Sequence, residues 1–161
     1  IEFGDSECMF NYALFIYSET GKYTNEIDKY LKNSAEAGNV EAMYELGLFA
    51  DEQNRIDDSK KWYRKAIKKG HTTAMNNLAN IYDEEGNKKE AMKLYLKSAE
   101  KGNPLAFFNL GNYYEENNNI ELAKEYYGKV LDSLKGYPTC KIEQEALVKL
   151  KRLENNSELR K

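Results

Sequence analysis

The residues with the most chemistry to offer in this chain are side-chain amides and carboxylates set at a fixed step. Asn77 and Asn109 stand 32 residues apart (109 − 77), and so do Asn80 and Asn112 (112 − 80). Each amide presents two donors and an acceptor. A row of them can therefore pair with the backbone of an extended peptide whatever side chains that peptide carries; the plainer reading is a solvated face in an asparagine-rich chain. Acid pairs keep the same step: Asp51-Glu52, Asp83-Glu84 and Glu115-Glu116. They fall where helices are expected to end, and a carboxylate there opposes the helix macrodipole at a cost of roughly a few tenths of a kcal/mol. Something should offset that cost. A ridge attracting a Lys/Arg-rich partner is one reading, and turn chemistry with solubility is the other.

Catalysis has little to stand on. The single histidine, His71, has no second His or Cys near it in sequence, and it takes the place of an asparagine in a turn. No Gly-rich phosphate loop, nucleophile elbow or metal-ligand spacing occurs. The acid pairs are periodic, and periodicity speaks for a scaffold. The expectation is no enzyme, no cofactor and no metal. A net charge of −3 argues against nucleic acid, which calls for a basic footprint. No apolar run approaches the roughly 18 residues of a membrane span. Cys8 and Cys140 fall in the first and last helical segments, too far apart to bridge. The chain opens on Ile1 rather than Met, which reads as an excerpt of a longer sequence.

The elements that position these groups are set by one recurring phrase. Gly38, Gly70 and Gly102 each open a segment in which Met43, Met75 and Phe107, then Leu46, Leu78 and Leu110, then Gly47, Ala79 and Gly111 recur in register. Each segment reads as helix, turn, helix: apolar residues at helical spacing, a polar break such as Glu52-Gln53-Asn54-Arg55, then a second stretch such as Trp62, Tyr63, Ala66 and Ile67. A looser copy begins at Gly4. After Tyr137-Pro138, Thr139 is placed to cap a last helix carrying Ile142, Ala146, Leu147, Leu150 and Leu153 on one face, and the chain from about Asn155 reads as frayed. Units of this length cannot bury their own apolar faces and must stack. The expected fold is all-α, a right-handed αα-solenoid of about four helix-turn-helix repeats plus a C-terminal capping helix. The units are about 4–37, 38–69, 70–101 and 102–134, with the capping helix about 139–155, in one repeat domain over 1–161. The small residues at 47, 79 and 111 let two helices approach closely, and the thirteen tyrosines are mostly packing, with hydroxyls at the rim.

Gly38-Asn39-x-x-Ala42-Met43-x-x-Leu46-Gly47, with Trp62-Tyr63-Arg64-Lys65-Ala66 before Gly70, resembles the Sel-one-like repeat, a close relative of the tetratricopeptide repeat. Gly102-Asn103-x-x-Ala106 and Leu110-Gly111-x-x-Tyr114 match equally well. The 32-residue step is short and lacks the longer Gly-containing turn of Sel-one-like units, so the unit geometry should be nearer the tetratricopeptide repeat. The resemblance covers about residues 4–134. It implies superhelices that act as protein–protein adaptors, and it implies no ligand.

In related repeats, one stripe of each first helix lines a concave groove. Carried over here, that stripe is Phe10, Leu14, Tyr17; Tyr44, Leu48, Asp51; Asn76, Asn80, Asp83; and Phe108, Asn112, Glu115. It runs from apolar and aromatic to amide and acidic. The candidate partner-binding residues are Tyr44, Asp51, Asn76, Asn80, Asp83, Glu84, Phe108, Asn109, Asn112 and Glu115. Backbone pairing to Asn76, Asn80, Asn109 and Asn112 would supply affinity, while Tyr44, Phe108 and the acidic ridge would supply selectivity. Lysines of the second helices, Lys60 and Lys61 through Lys101, read as a solvated outer surface. The expected function is an adaptor binding an extended peptide or partner helix, with a basic segment suited to the acids. The alternatives are a structural or self-assembly module and a noncatalytic regulatory domain; the oligomeric state is open.

Overall fold

The computed structural model describes residues 5–138 and 140–158; the Gly4 start and the Thr139 cap expected from sequence lie outside them. Helices are the only regular elements among these residues. They run in pairs: α1 (Ser6–Thr20) with α2 (Asn25–Glu36), α3 (Val40–Glu52) with α4 (Ile56–Lys68), α5 (Thr72–Glu84) with α6 (Lys88–Glu100), and α7 (Pro104–Glu116) with α8 (Ile120–Leu134), followed by α9 (Lys141–Glu158). Two compact units divide the chain inside α5, one reaching Ile81 and the other starting at Tyr82. The last helix continues to Glu158, past the point where its composition suggested fraying.

Local chemistry explains the helix ends. Asn39 Oδ1 accepts from the Ala42 amide at 2.9 Å and Asn103 Oδ1 from Leu105 at 3.0 Å, each satisfying an N–H that the helix start would otherwise strand. His71 holds the corresponding position and does the same work through Nδ1, which accepts from Ala74 N at 3.0 Å. Its Nε2 lies 3.2 Å from Glu41 Oε2 and its ring stacks on Tyr44. The one histidine is a helix cap. The turns inside the pairs need a left-handed residue at Asn54, Gly86 and Asn118, again 32 apart, and Gly and Asn are the residues that tolerate it.

In the first unit, α2 packs on α1 and α3, and α3 on α4. Its core includes Ala13, Leu31, Leu46, Tyr63 and Ala66. Gly47 is where α4 comes closest: a Cβ there would stand 2.5 Å from Tyr63 Cδ1. In the second unit, α7 packs on α6 and α8, and α9 on α8 with a smaller contact to α7. Gly111 repeats the close approach, with a hypothetical Cβ 2.5 Å from Cε1 of Tyr127. Both tyrosines are fully buried. The close approach expected from small residues is therefore specific: a second-helix tyrosine ring packs against a first-helix glycine.

The terminal helix takes the place of one more first helix. Ala146 falls where Ala42 and Ala106 do and is likewise fully buried; with Leu153 it joins the cluster of Ala123, Tyr127 and Val130. Leu147, expected on the buried face, is 38% exposed because the packed line runs through Ile142, Ala146, Leu150 and Leu153. Lys151 stands where Gly47 and Gly111 admit a ring, so α9 offers a charged surface instead of a socket. Its polar residues also bind the unit: Lys149 Nζ lies 3.4 Å from Glu115 Oε2, and Arg152 donates to Glu115 Oε1. Tyr127 donates its hydroxyl to the same carboxylate at 2.8 Å. Burial alone would raise the Glu115 pKa, but the Tyr127 hydroxyl and the two cations outweigh it and hold it below the usual value.

Three outcomes are expected. Gly111→Ala gains about 1 kcal/mol of helix propensity but forces the Tyr127 ring aside, at about 1–3 kcal/mol, and should destabilise in urea unfolding. Gly128→Ala, in α8 with nothing within 4 Å of its Cβ, should stabilise by up to about 1 kcal/mol. A carboxylate with a lowered folded pKa contributes stability that is present at neutral pH and lost as pH falls through that pKa. Glu115→Gln should therefore cost about 1–2 kcal/mol at pH 7, with the difference shrinking in thermal melts as the pH passes down through the carboxylate range.

Candidate functional site

First-helix residues one step apart in sequence point to different neighbours, and this decides which candidates come together. On α7, Asn109, Asn112, Tyr113 and Glu116 share one face by their i, i+3, i+4, i+7 spacing. With Asp83 at the end of α5 and Tyr95 of α6 they line a recessed polar cleft. Asp83, Asn109 and Asn112 were expected from sequence. Glu116 was expected only as a member of the acidic ridge; Tyr95 and Tyr113 were not expected, although Tyr95 was visible as the equivalent of Tyr63 and Tyr127 at the 32-residue step.

Electrostatics of the cleft follow from its walls. Burial, and then the nearby Asp83 and Glu84 carboxylates, push the Tyr95 phenol well above its ordinary value, so it stays a neutral hydroxyl. Asp83 forms an ion pair with Lys88 at 3.3 Å, both side chains substantially exposed, which is worth about 0–1 kcal/mol. Asn112 Oδ1 and Glu115 Oε2 each lie 2.8 Å from the Tyr127 hydroxyl oxygen and share its single proton, so the Asn112 amide is held at one end. Beyond Asn112 a second cleft continues past Glu115, Glu116, Lys149 and Arg152.

Several expected site residues do other work. Asn76 is 2% exposed, inside the first unit; its amide is core and not surface, because the residue turns inward with Met75 and Leu78. Phe108 and Glu115 lie under α9: Lys149 Nζ sits 5.8 Å from the Phe108 ring centroid, and Glu115 is clamped as described. Tyr44 is stacked on His71, with ring centroids 4.5 Å apart, and half-buried. Asp51 is half-buried near the Tyr63 hydroxyl; burial raises its pKa. Burial together with Asp51 drives the Tyr63 pKa up to about 12 against the hydrogen bond from Asn77. Asn77 Nδ2 reaches that hydroxyl at 3.4 Å. Asn80 is half-buried and Glu84 exposed at the end of α5. Lys61, Arg64, Lys65, Lys93, Lys97 and Lys101 face solvent.

The cost noted for acids at first-helix ends has an identified counterweight at Glu115, which accepts from the Tyr127 hydroxyl at 2.8 Å. Asp51 beside Tyr63, Asp83 beside Tyr95 and Glu115 beside Tyr127 repeat a carboxylate next to a buried phenol. Without such a hydroxyl the acid is missing. Leu31, fully buried, holds the tyrosine position in the first pair, and Tyr17 holds the acid position there, its ring 5.0 Å from that of Phe49. Among the described residues, no three His, Cys, Asp or Glu side chains converge as a metal site. No helix there is long and apolar enough to cross a membrane, and Cys8 and Cys140 are both free thiols.

Known proteins place this geometry. One tetratricopeptide repeat profile matches residues 71–101, and a second matches residues 40–68 and 105–133. A comparison with curated protein sequences gave no match. Among solved structures, the chain is similar to a protective antigen of uropathogenic Escherichia coli displaying an SLR fold. The two are 29% identical with a TM-score of 0.68, over 80% of this chain and 31% of that one. It is also similar to a Sel1 repeat protein from Oxalobacter formigenes, at 24% identity and a TM-score of 0.72, over 80% of this chain and 57% of that one. MamA matches at 22% identity and a TM-score of 0.63, over 82% and 80% of the two chains. The chain thus spans about a third and just over half of the first two proteins. The profile matches and the shared helical-pair fold agree: the chain belongs to the tetratricopeptide repeat family, as an all-α repeat solenoid of the tetratricopeptide and Sel1-like type.

Proposed function

We propose that this chain is a noncatalytic interaction scaffold that binds an extended peptide segment of a partner protein along the cleft of Asp83, Tyr95, Asn109, Asn112, Tyr113 and Glu116. The family is generally one of protein-interaction scaffolds, and the peptide reading goes beyond that. The observation that carries it is the cleft itself, which puts two side-chain amides on one helix face beside a neutral phenol. Such a wall offers donors and acceptors to a peptide backbone, which must find partners for its own N–H and C=O groups when it leaves water. Asn112 is suited to this because its contact with the Tyr127 hydroxyl already restrains the side chain, so less rotamer freedom is lost on binding. Asn76, buried in the first unit, has no part in it, and Phe108 and Glu115 serve α9.

The test begins with a phage-displayed library of random decapeptides selected on the chain, followed by calorimetric titration of the selected peptides. Asn109→Ala combined with Asn112→Ala removes two or more hydrogen bonds to the peptide of about 1 kcal/mol each and should weaken binding at least tenfold, while the chain stays folded with a lower urea midpoint from the lost Asn112–Tyr127 contact. Unchanged affinity for every selected peptide would sink the reading.

A further inference from the structure

We infer that the Asp83–Tyr95 cleft receives the cationic side chain of a lysine or arginine in the bound peptide, an inference that rests on the peptide-binding reading above. Its warrant is a precedent within the same unit. Glu115 and Tyr127 follow Asp83 and Tyr95 by 32 residues each, so two successive repeats carry the same carboxylate–phenol pair. In the later repeat that pair is occupied by cations. Lys149 Nζ lies 3.4 Å from Glu115 Oε2, 5.6 Å from the Tyr127 ring centroid and 5.8 Å from that of Phe108, while Arg152 holds the other carboxylate oxygen. A cation there meets a carboxylate steadied by a phenol hydroxyl and the faces of two rings, which attract it by charge and by the ring quadrupole.

The earlier repeat offers the same parts around an open cleft. Asp83 and Glu116 supply carboxylates, Asn109 and Asn112 amides, and Tyr95 and Tyr113 aromatic walls. Among the described residues no lysine or arginine lines it, so an anionic side chain would meet the carboxylates of Asp83 and Glu116. Lys88 reaches Asp83 from the side, with 56% of its side chain exposed; that solvent-screened pairing is weak enough for a better-placed cation to displace. With no three metal-ligating side chains converging among the described residues, the recognised species is an organic cation on a peptide and not a divalent ion.

Four capped pentapeptides, Ala-Ala-X-Ala-Ala with X as Arg, Lys, Ala or Glu, separate the possibilities when titrated into the chain at millimolar concentration. The readout is the side-chain amide NMR signals of Asn109 and Asn112. The Arg or Lys peptide should shift them with at least tenfold tighter affinity than the Ala and Glu peptides. That preference should fall at least threefold in Asp83→Asn with Glu116→Gln, and it should persist in Glu121→Gln, which alters an exposed acid of α8. Equal shifts with all four peptides, or a preference for Glu, would overturn the cation inference and leave the peptide-binding reading standing. No shift with any of them would overturn both.

Discussion

A tyrosine ring lying on a glycine is the contact on which most of this structure depends. Tyr63 covers Gly47 and Tyr127 covers Gly111 so closely that one added methyl group would stand 2.5 Å from ring carbon. The contact sets the spacing of the two helices in a pair, because the ring is as thick as the gap the missing side chain leaves. It also aims the phenol oxygen. A tyrosine buried to its ring edge must satisfy its hydroxyl, and the hydroxyl emerges beside the last turn of the first helix, where an acid waits.

That consequence links packing to charge. An acid at a helix C-terminus is unfavourable on macrodipole grounds, yet it recurs at Asp51, Asp83 and Glu115, each near a buried phenol. Where the ring is replaced by Leu31, the acid position is occupied by the aromatic Tyr17 and the local contact becomes ring against ring, Tyr17 with Phe49. The same interaction prepares the polar cleft. Neutral phenols, anchored amides and carboxylates are held at one place by elements whose main task is stacking.

The helical repeat and the capping role of α9 were legible from sequence because they rest on periodicity, and a 32-residue step with Gly, Ala and Leu in register admits little else. Residue roles within a first helix were less legible. Successive helical residues turn by about 100°, so a stripe read one position off its true face collects residues with different neighbours. Phe108 and Glu115 were read with Asn112 and went instead to α9; Asn109, Tyr113 and Glu116 form the face that lines the cleft. Asn76 illustrates the limit further. As a polar residue it reads as surface, and the first unit buries it to 2% exposure.

Sequence alone determined the all-α class, the pairing of helices, the turns between them, and the small residues that permit close approach, because these follow from local propensity and from the need of short units to bury apolar faces together. Only the tertiary structure decided which acids are clamped by cations from elsewhere in the chain. Lys149 and Arg152 lie more than thirty residues beyond Glu115 in the chain and look like any solvated charges of a terminal helix. Packing of Ala146 and Leu153 against Tyr127 and Val130 brings them onto that carboxylate. Whether a charge is occupied or available depends on what the fold lays beside it, and no spacing along the chain encodes that.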